Sequence, residues 1–76
     1  MNNTRRKSIE DVRKAIEDVK ADLEQIKDEE EEYKDNMPES LQDSERYTNA
    51  EEAVDNMDEA VSALDEALSC LATVDQ

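Results

Sequence analysis

The sequence predicts an all-α protein: an antiparallel two-helix coiled-coil hairpin that dimerises into a four-helix bundle. Three observations carry this. An apolar heptad repeat occurs twice, once on each side of Pro38, the only proline in the chain. Glycine is absent, so a reversal of the chain is expected only around that proline. The charges flanking the two repeats have opposite sign, which suits a chain folded back on itself.

The upstream repeat runs through Ile9, Val12, Ile16, Val19, Leu23 and Ile26 and, after Glu30, reaches Tyr33 and Met37. The downstream repeat is Tyr47, Ala50, Val54, Met57, Val61, Leu64, Leu68 and Leu71. Alternating steps of three and four keep these side chains on a narrow stripe of a helix, where a partner helix covers them. The chain has 76 residues, a net charge of −14 and 36% apolar content, a balance that leans toward disorder. Periodicity overrides that leaning, because a disordered chain has no reason to space its aliphatics at the period of a helix.

Residues 1–7 read as a basic tail and residues 8–76 as the hairpin. Ser8 is a candidate N-cap, with Asp11 three residues on and Glu10 at the positive end of the helix. The first helix is expected over residues 8–36, ending at Met37-Pro38 because a residue before proline avoids the α region. Residues 37–44 form the connector, in which Pro38 and Glu39 open a single turn and Leu41 tucks beneath as a plug. Asp43 or Ser44 caps a second helix over residues 45–74. So short a connector makes the helices antiparallel neighbours.

Heptad lettering (a to g, with a and d apolar) tests this. With Ile9, Ile16 and Leu23 at a, the e column of the first helix is Arg13, Lys20, Lys27 and Lys34, all basic. In the second helix, with Tyr47, Val54, Val61 and Leu68 at a, the e column is Glu51, Asp58, Asp65 and Ala72. The e columns meet in an antiparallel pair, so Arg13–Asp65, Lys20–Asp58 and Lys27–Glu51 are the expected contacts. Such exposed pairs are weak singly, but together they specify orientation. The same register stacks Ile9 on Leu71, Val12 on Leu68, Ile16 on Leu64, Val19 on Val61, Leu23 on Met57 and Ile26 on Val54. A slip by one heptad preserves the pattern. Glu30 then lies opposite Ala50, either reaching for solvent or setting the register.

Catalysis has few candidates. There is no histidine, and Cys70, the lone cysteine, has no imidazole to activate it, so no catalytic residue is assigned and an enzyme is not expected. One cysteine also excludes an internal disulfide. The acidic run Asp28 to Glu32 lacks the glycine turn and alternating oxygen ligands of a calcium loop, so no metal or cofactor is expected. Arg5, Arg6 and Lys7 resemble the start of a signal peptide, but Glu10, Asp11, Glu17 and Asp18 replace its apolar stretch. No segment approaches a membrane span, and surplus acid opposes direct binding to nucleic acid or anionic lipid. A cytoplasmic location is expected.

Two faces remain as candidates for partners. The second helix carries Ala53, Ala60, Ala67 and Val74 in its g column, and Ala63 and Cys70 in its c column, beside Leu71. This arc is wider than one partner helix consumes, and alanine permits close approach. Ala60, Ala63, Ala67, Cys70, Leu71 and Val74 are therefore the expected face for a second hairpin or another protein, unless the alanines merely favour helix. A chain this short, facing roughly 1.5 kcal/mol of ordering cost per residue, has reason to self-associate. On the first helix Glu10, Glu17, Glu24 and Glu31 form a stripe, with Asp28 and Glu32 nearby. Such a row either keeps the protein soluble or imitates spaced phosphates and occupies the groove of a nucleic-acid-binding protein.

The connector run Asn36-Met37-Pro38-Glu39-Ser40-Leu41-Gln42-Asp43-Ser44-Glu45-Arg46-Tyr47, followed by an Ala/Glu/aliphatic helix, resembles small acidic helical proteins of Firmicutes phages and prophages. The resemblance implies phage origin and action in a host cytoplasm, and brings no functional residues with it. It makes inhibition of a host defence nuclease or another host factor, as by an anti-CRISPR, the alternative to a general protein-binding role.

Overall fold

The structure, a computed structural model described for residues 1–74, is a helical hairpin. Helix α1 spans Asn3–Asp35, a single 3-10 turn spans Glu39–Leu41, and helix α2 spans Glu45–Ala72. The two helices pack along their length into a rod of 60 × 15 × 13 Å. All described residues keep negative φ, and no peptide bond is cis, as a glycine-free chain requires.

Helix α1 begins five residues before the expected Ser8, so the basic tail is helical from Asn3. Asn2 is the cap: its side chain accepts a hydrogen bond from the Arg5 amide at 2.8 Å. Asparagine caps as well as serine, and arginine and lysine are good helix formers, so nothing in residues 3–7 stops the helix. Lys7 pairs with Asp11 at 3.2 Å, one turn on. Ser8 sits inside the helix, with its hydroxyl donating to the Thr4 carbonyl at 3.1 Å. At the far end Met37-Pro38 stops α1 where expected, and the Asn36 amide donates back to Glu32 at 3.0 Å. Ser44 caps α2, accepting from the Tyr47 amide at 3.3 Å. Helix α2 ends at Ala72, two residues before the expected limit, with Thr73 as its C-cap.

The connector uses a different plug from the expected one. Leu41 is 42% exposed, whereas Met37 is 8% exposed and lies in the core with Ala50 and Val61. The reason is position. Met37 directly continues the heptad of α1, so it lands on the seam, while Leu41 rides the 3-10 turn over the outside. Among the described residues only these three apolar side chains are buried, and α1 contributes none. Two helices side by side cover each other's stripes without enclosing them.

The larger departure lies along α1. Its half-buried residues are Ile9, Arg13, Ile16, Lys20, Leu23, Lys27, Glu30 and Lys34, which are the a and e columns. Its d column faces outward: Val12 is 47% exposed, Val19 55%, Ile26 53% and Tyr33 47%. Where Val12, Val19 and Ile26 were expected to be covered by α2, about half of each side chain is left in solvent. Relative to an a/d seam, α1 is rotated by about 50°, half the angular step between successive helical residues. Helix α2 answers with the a, d and g columns: beside Ala50 and Val61, its half-buried residues include Ala53, Val54, Met57, Leu64, Ala67, Leu68 and Leu71. Ile16 and Leu64 line one shallow groove, and Glu30 and Ala50 another.

Burial at Met37 and exposure at Leu41 make contrasting expectations. Met37→Ala should lower the unfolding free energy by roughly 2 kcal/mol, the low end for deleting a buried long side chain. Leu41→Ala should cost clearly less. Urea melts of the two variants check this, and equal shifts would show that Leu41 is the plug after all.

Candidate functional site

The rotation of α1 gives the hairpin two unlike sides. One side carries the ion pairs. Lys27 Nζ reaches Asp58 at 3.2 Å, and Lys20 Nζ pairs with Asp65 while also lying 3.9 Å from Glu24. Each lysine thus meets the acid one heptad further along α2 than expected, Asp65 in place of Asp58 for Lys20 and Asp58 in place of Glu51 for Lys27. The cause is the rotation: with the e column turned into the seam, the lysine stems lie across it. Their side chains are only 27% and 21% exposed, so the alkyl chains cover apolar surface while the ammonium groups emerge beside the next acid.

Hydrogen bonding to Asp65 holds the Lys20 ammonium above the ordinary lysine value of 10.5, outweighing the opposing effect of desolvation. Asp58 does the same for Lys27 through its hydrogen bond and its charge. A raised folded-state value means that folding favours the charged lysine. The contribution is complete below about pH 10.5 and is lost as pH climbs through the raised values.

Glu10, Glu17, Glu24 and Glu31 of the first helix share this side, and these four, Asp28 and Glu32 are all exposed, as the sequence suggests. Lys14 lies 3.6 Å from Glu10, and Lys20 engages Glu24, so two members of the stripe are partly neutralised along their own helix. On the heptad wheel the Glu10, Glu17, Glu24 and Glu31 column borders the e column, on the flank away from Val12 and Val19.

The other side is apolar. Val12, Val19, Ile26 and Tyr33 run down α1, and Val12, Ala15, Ile16 and Val19 line a groove with Leu64 of α2. Because e columns meet on the ion-pair side, the g column of α2 lies on this one. The expected docking residues divide accordingly: Ala67 and Leu71 are half-buried in the seam, while Ala60, Ala63, Cys70 and Val74 are exposed. The row on α1 is the part the repeat alone does not reveal, since its spacing suits a seam. One signal was available. A lysine-rich e column beside a partner with an a/d/g arc favours turning α1 toward e, which displaces d.

At the connector end this apolar side opens into a hollow of about 470 Å³. Tyr33, Met37, Pro38 and Leu41 form its apolar wall, with Glu29 and Glu32 also lining it. Among the described residues, no group of three or more His, Cys, Asp or Glu side chains is placed to hold a metal ion. No described helix is long and apolar enough to cross a membrane.

The ion-pair side makes a pH expectation. Thermal stability of the wild type should fall more steeply above about pH 10.5 than that of Asp58→Asn/Asp65→Asn, because only the wild type has the lysine pairs between the helices to lose. Melts between pH 8 and 12 by circular dichroism check this, and parallel curves would show that the pairs contribute nothing. No protein-family model matches the chain, and neither a curated protein nor a solved structure does so.

Proposed function

We propose that this chain is a non-enzymatic helical interaction module that binds protein through the apolar side of its hairpin and closes on itself into a four-helix bundle. The observation that carries this is the half-exposed row Val12, Val19, Ile26 and Tyr33. Four large apolar side chains at heptad spacing on one helix are a coiled-coil stripe without its partner. The exposed alanines of α2 widen the same side and let another helix approach closely. The phage resemblance of the connector belongs to this proposal, with a host cytoplasm as the setting.

A second reading assigns the function to the opposite flank, as an acidic decoy for a nucleic-acid-binding or defence protein. The solvent-facing column Glu10, Glu17, Glu24 and Glu31 favours it. Charge density ranks it second. A net −14 along 60 Å is about one charge per 4 Å, against one per ~1.7 Å in duplex DNA.

Sedimentation separates the readings. The wild type should run at twice its 8.7 kDa mass, and Val19→Glu or Ile26→Glu should make it monomeric with helicity retained. Salt should strengthen the association, since it screens two copies that are each strongly acidic. If Glu17→Gln/Glu24→Gln/Glu31→Gln abolished capture of a basic target, while Val19→Glu left it intact, the decoy reading would replace this one.

A further inference from the structure

The apolar side has an internal symmetry that says how a second copy lies on it. The row on α1 comprises Val12, Val19, Ile26 and Tyr33, so its centre falls between Asp22 and Leu23. On α2 the alanines of the g column are Ala53 and Ala67, half-buried in the seam, and Ala60, exposed midway between them. The centre of the row and Ala60 stand at one height. The shared grooves of Ile16 with Leu64 and of Glu30 with Ala50 put Leu23 level with Met57. The pairs Lys20–Asp65 and Lys27–Asp58 put the same level of α1 beside residues 61 and 62. Ala60 lies between these two estimates. One two-fold axis perpendicular to the rod can therefore pass through the middle of both stripes.

Charge favours that arrangement over a parallel one. Residues 1–14 hold five cations (Arg5, Arg6, Lys7, Arg13 and Lys14) against Glu10 and Asp11. Residues 28–35 hold six acids against Lys34 alone. A parallel pair would lay the acidic segments side by side and bring Glu29 and Glu32 of both hollows together. An antiparallel pair lays residues 28–35 opposite residues 10–17 of the second copy, which hold Arg13 and Lys14 against Glu10, Asp11 and Glu17, so the two strongly acidic segments stand apart. Arg5 shares the column of Val12 and Val19, so it comes level with Ser40, at the connector end beside Pro38 and Leu41. Size also fits: a side of 60 × 15 Å projects on the order of 900 Å², against about 800 Å² per partner in a standard interface.

We infer that the occupant of the apolar side is a second copy of this chain, related by a two-fold axis through the levels of Asp22 and Ala60. Helix α1 then packs antiparallel on the second copy's α1, and α2 on its α2. Val12 meets the second copy's Tyr33, Val19 meets its Ile26, and Ala60 meets its own counterpart. Every neighbouring pair of helices in the bundle is antiparallel. This rests on the proposed role of the apolar side and adds the orientation and register of the second copy.

Single cysteines in a Cys70→Ser background test it with a bis-maleimide whose reach is under two helical turns, about 11 Å. Asp22→Cys and Ala60→Cys both replace exposed residues, so the hairpin should persist. Each should convert the chain to a covalent dimer on a denaturing gel. Val12→Cys alone should stay monomeric, because its counterpart is 21 residues away along the helix, about 31 Å. Mixing Val12→Cys with Tyr33→Cys should restore the cross-link. Self-cross-linking of Val12→Cys would mean a parallel dimer and overturn the inference. So would a sedimenting dimer in which neither Asp22→Cys nor Ala60→Cys reacts. A monomeric wild type that still captures another protein through Val19 and Ile26 would overturn the second copy as occupant and leave the interaction module standing.

Discussion

A pair of helices in side-by-side contact covers an arc of roughly 100° on each, and any apolar surface outside that arc stays in water. Helix α1 has three columns able to line such an arc: the aliphatics at a, the aliphatics at d, and the lysine stems at e. It turns a and e inward. That choice brings the ammonium groups of Lys20 and Lys27 beside Asp65 and Asp58. It lets α2 use its wide a, d and g arc, and it expels Val12, Val19, Ile26 and Tyr33. The two unlike sides of the rod, one acidic and ion-paired, the other apolar, both result from this rotation.

Architecture was legible in the sequence because it depends on period and on strong local signals. A heptad interrupted once at Met37-Pro38 has to be two helices, and lysines facing aspartates have to run antiparallel. Ser44 as the second cap and the turn opening at Pro38 follow from the same local chemistry. The start of α1 was less legible, since Asn2 and Ser8 are both good caps and the residues between them tolerate helix. Ile16 shares a groove with Leu64, while the ion pairs moved by a heptad because long side chains choose between acids on either side of a layer.

The candidate surface was legible by half. Exposure of Ala60, Ala63, Cys70 and Val74 follows from an arc too wide for one neighbour. Exposure of Val12, Val19 and Ile26 does not follow from their spacing, which is that of buried residues. It follows from competition among three columns for one seam, and the outcome depends on the aliphatic character of lysine. A binary division into apolar and polar residues counts Lys20 and Lys27 as surface, although most of each side chain is covered.

The connector has one more effect. Every residue from Asn36 to Ser44 takes an ordinary negative φ, and Pro38 fixes its own, so reversing the chain here consumes little backbone freedom. Contacts beside the connector close the shortest loops, and those near Ile9 and Leu71 the longest. The hairpin is thus a zipper with a fixed fold at one end. Its opening is graded: Met37 and Ala50 at the closed end are the last to separate, and the remote turns fray first. Protection of the amide protons against exchange should then climb toward the proline.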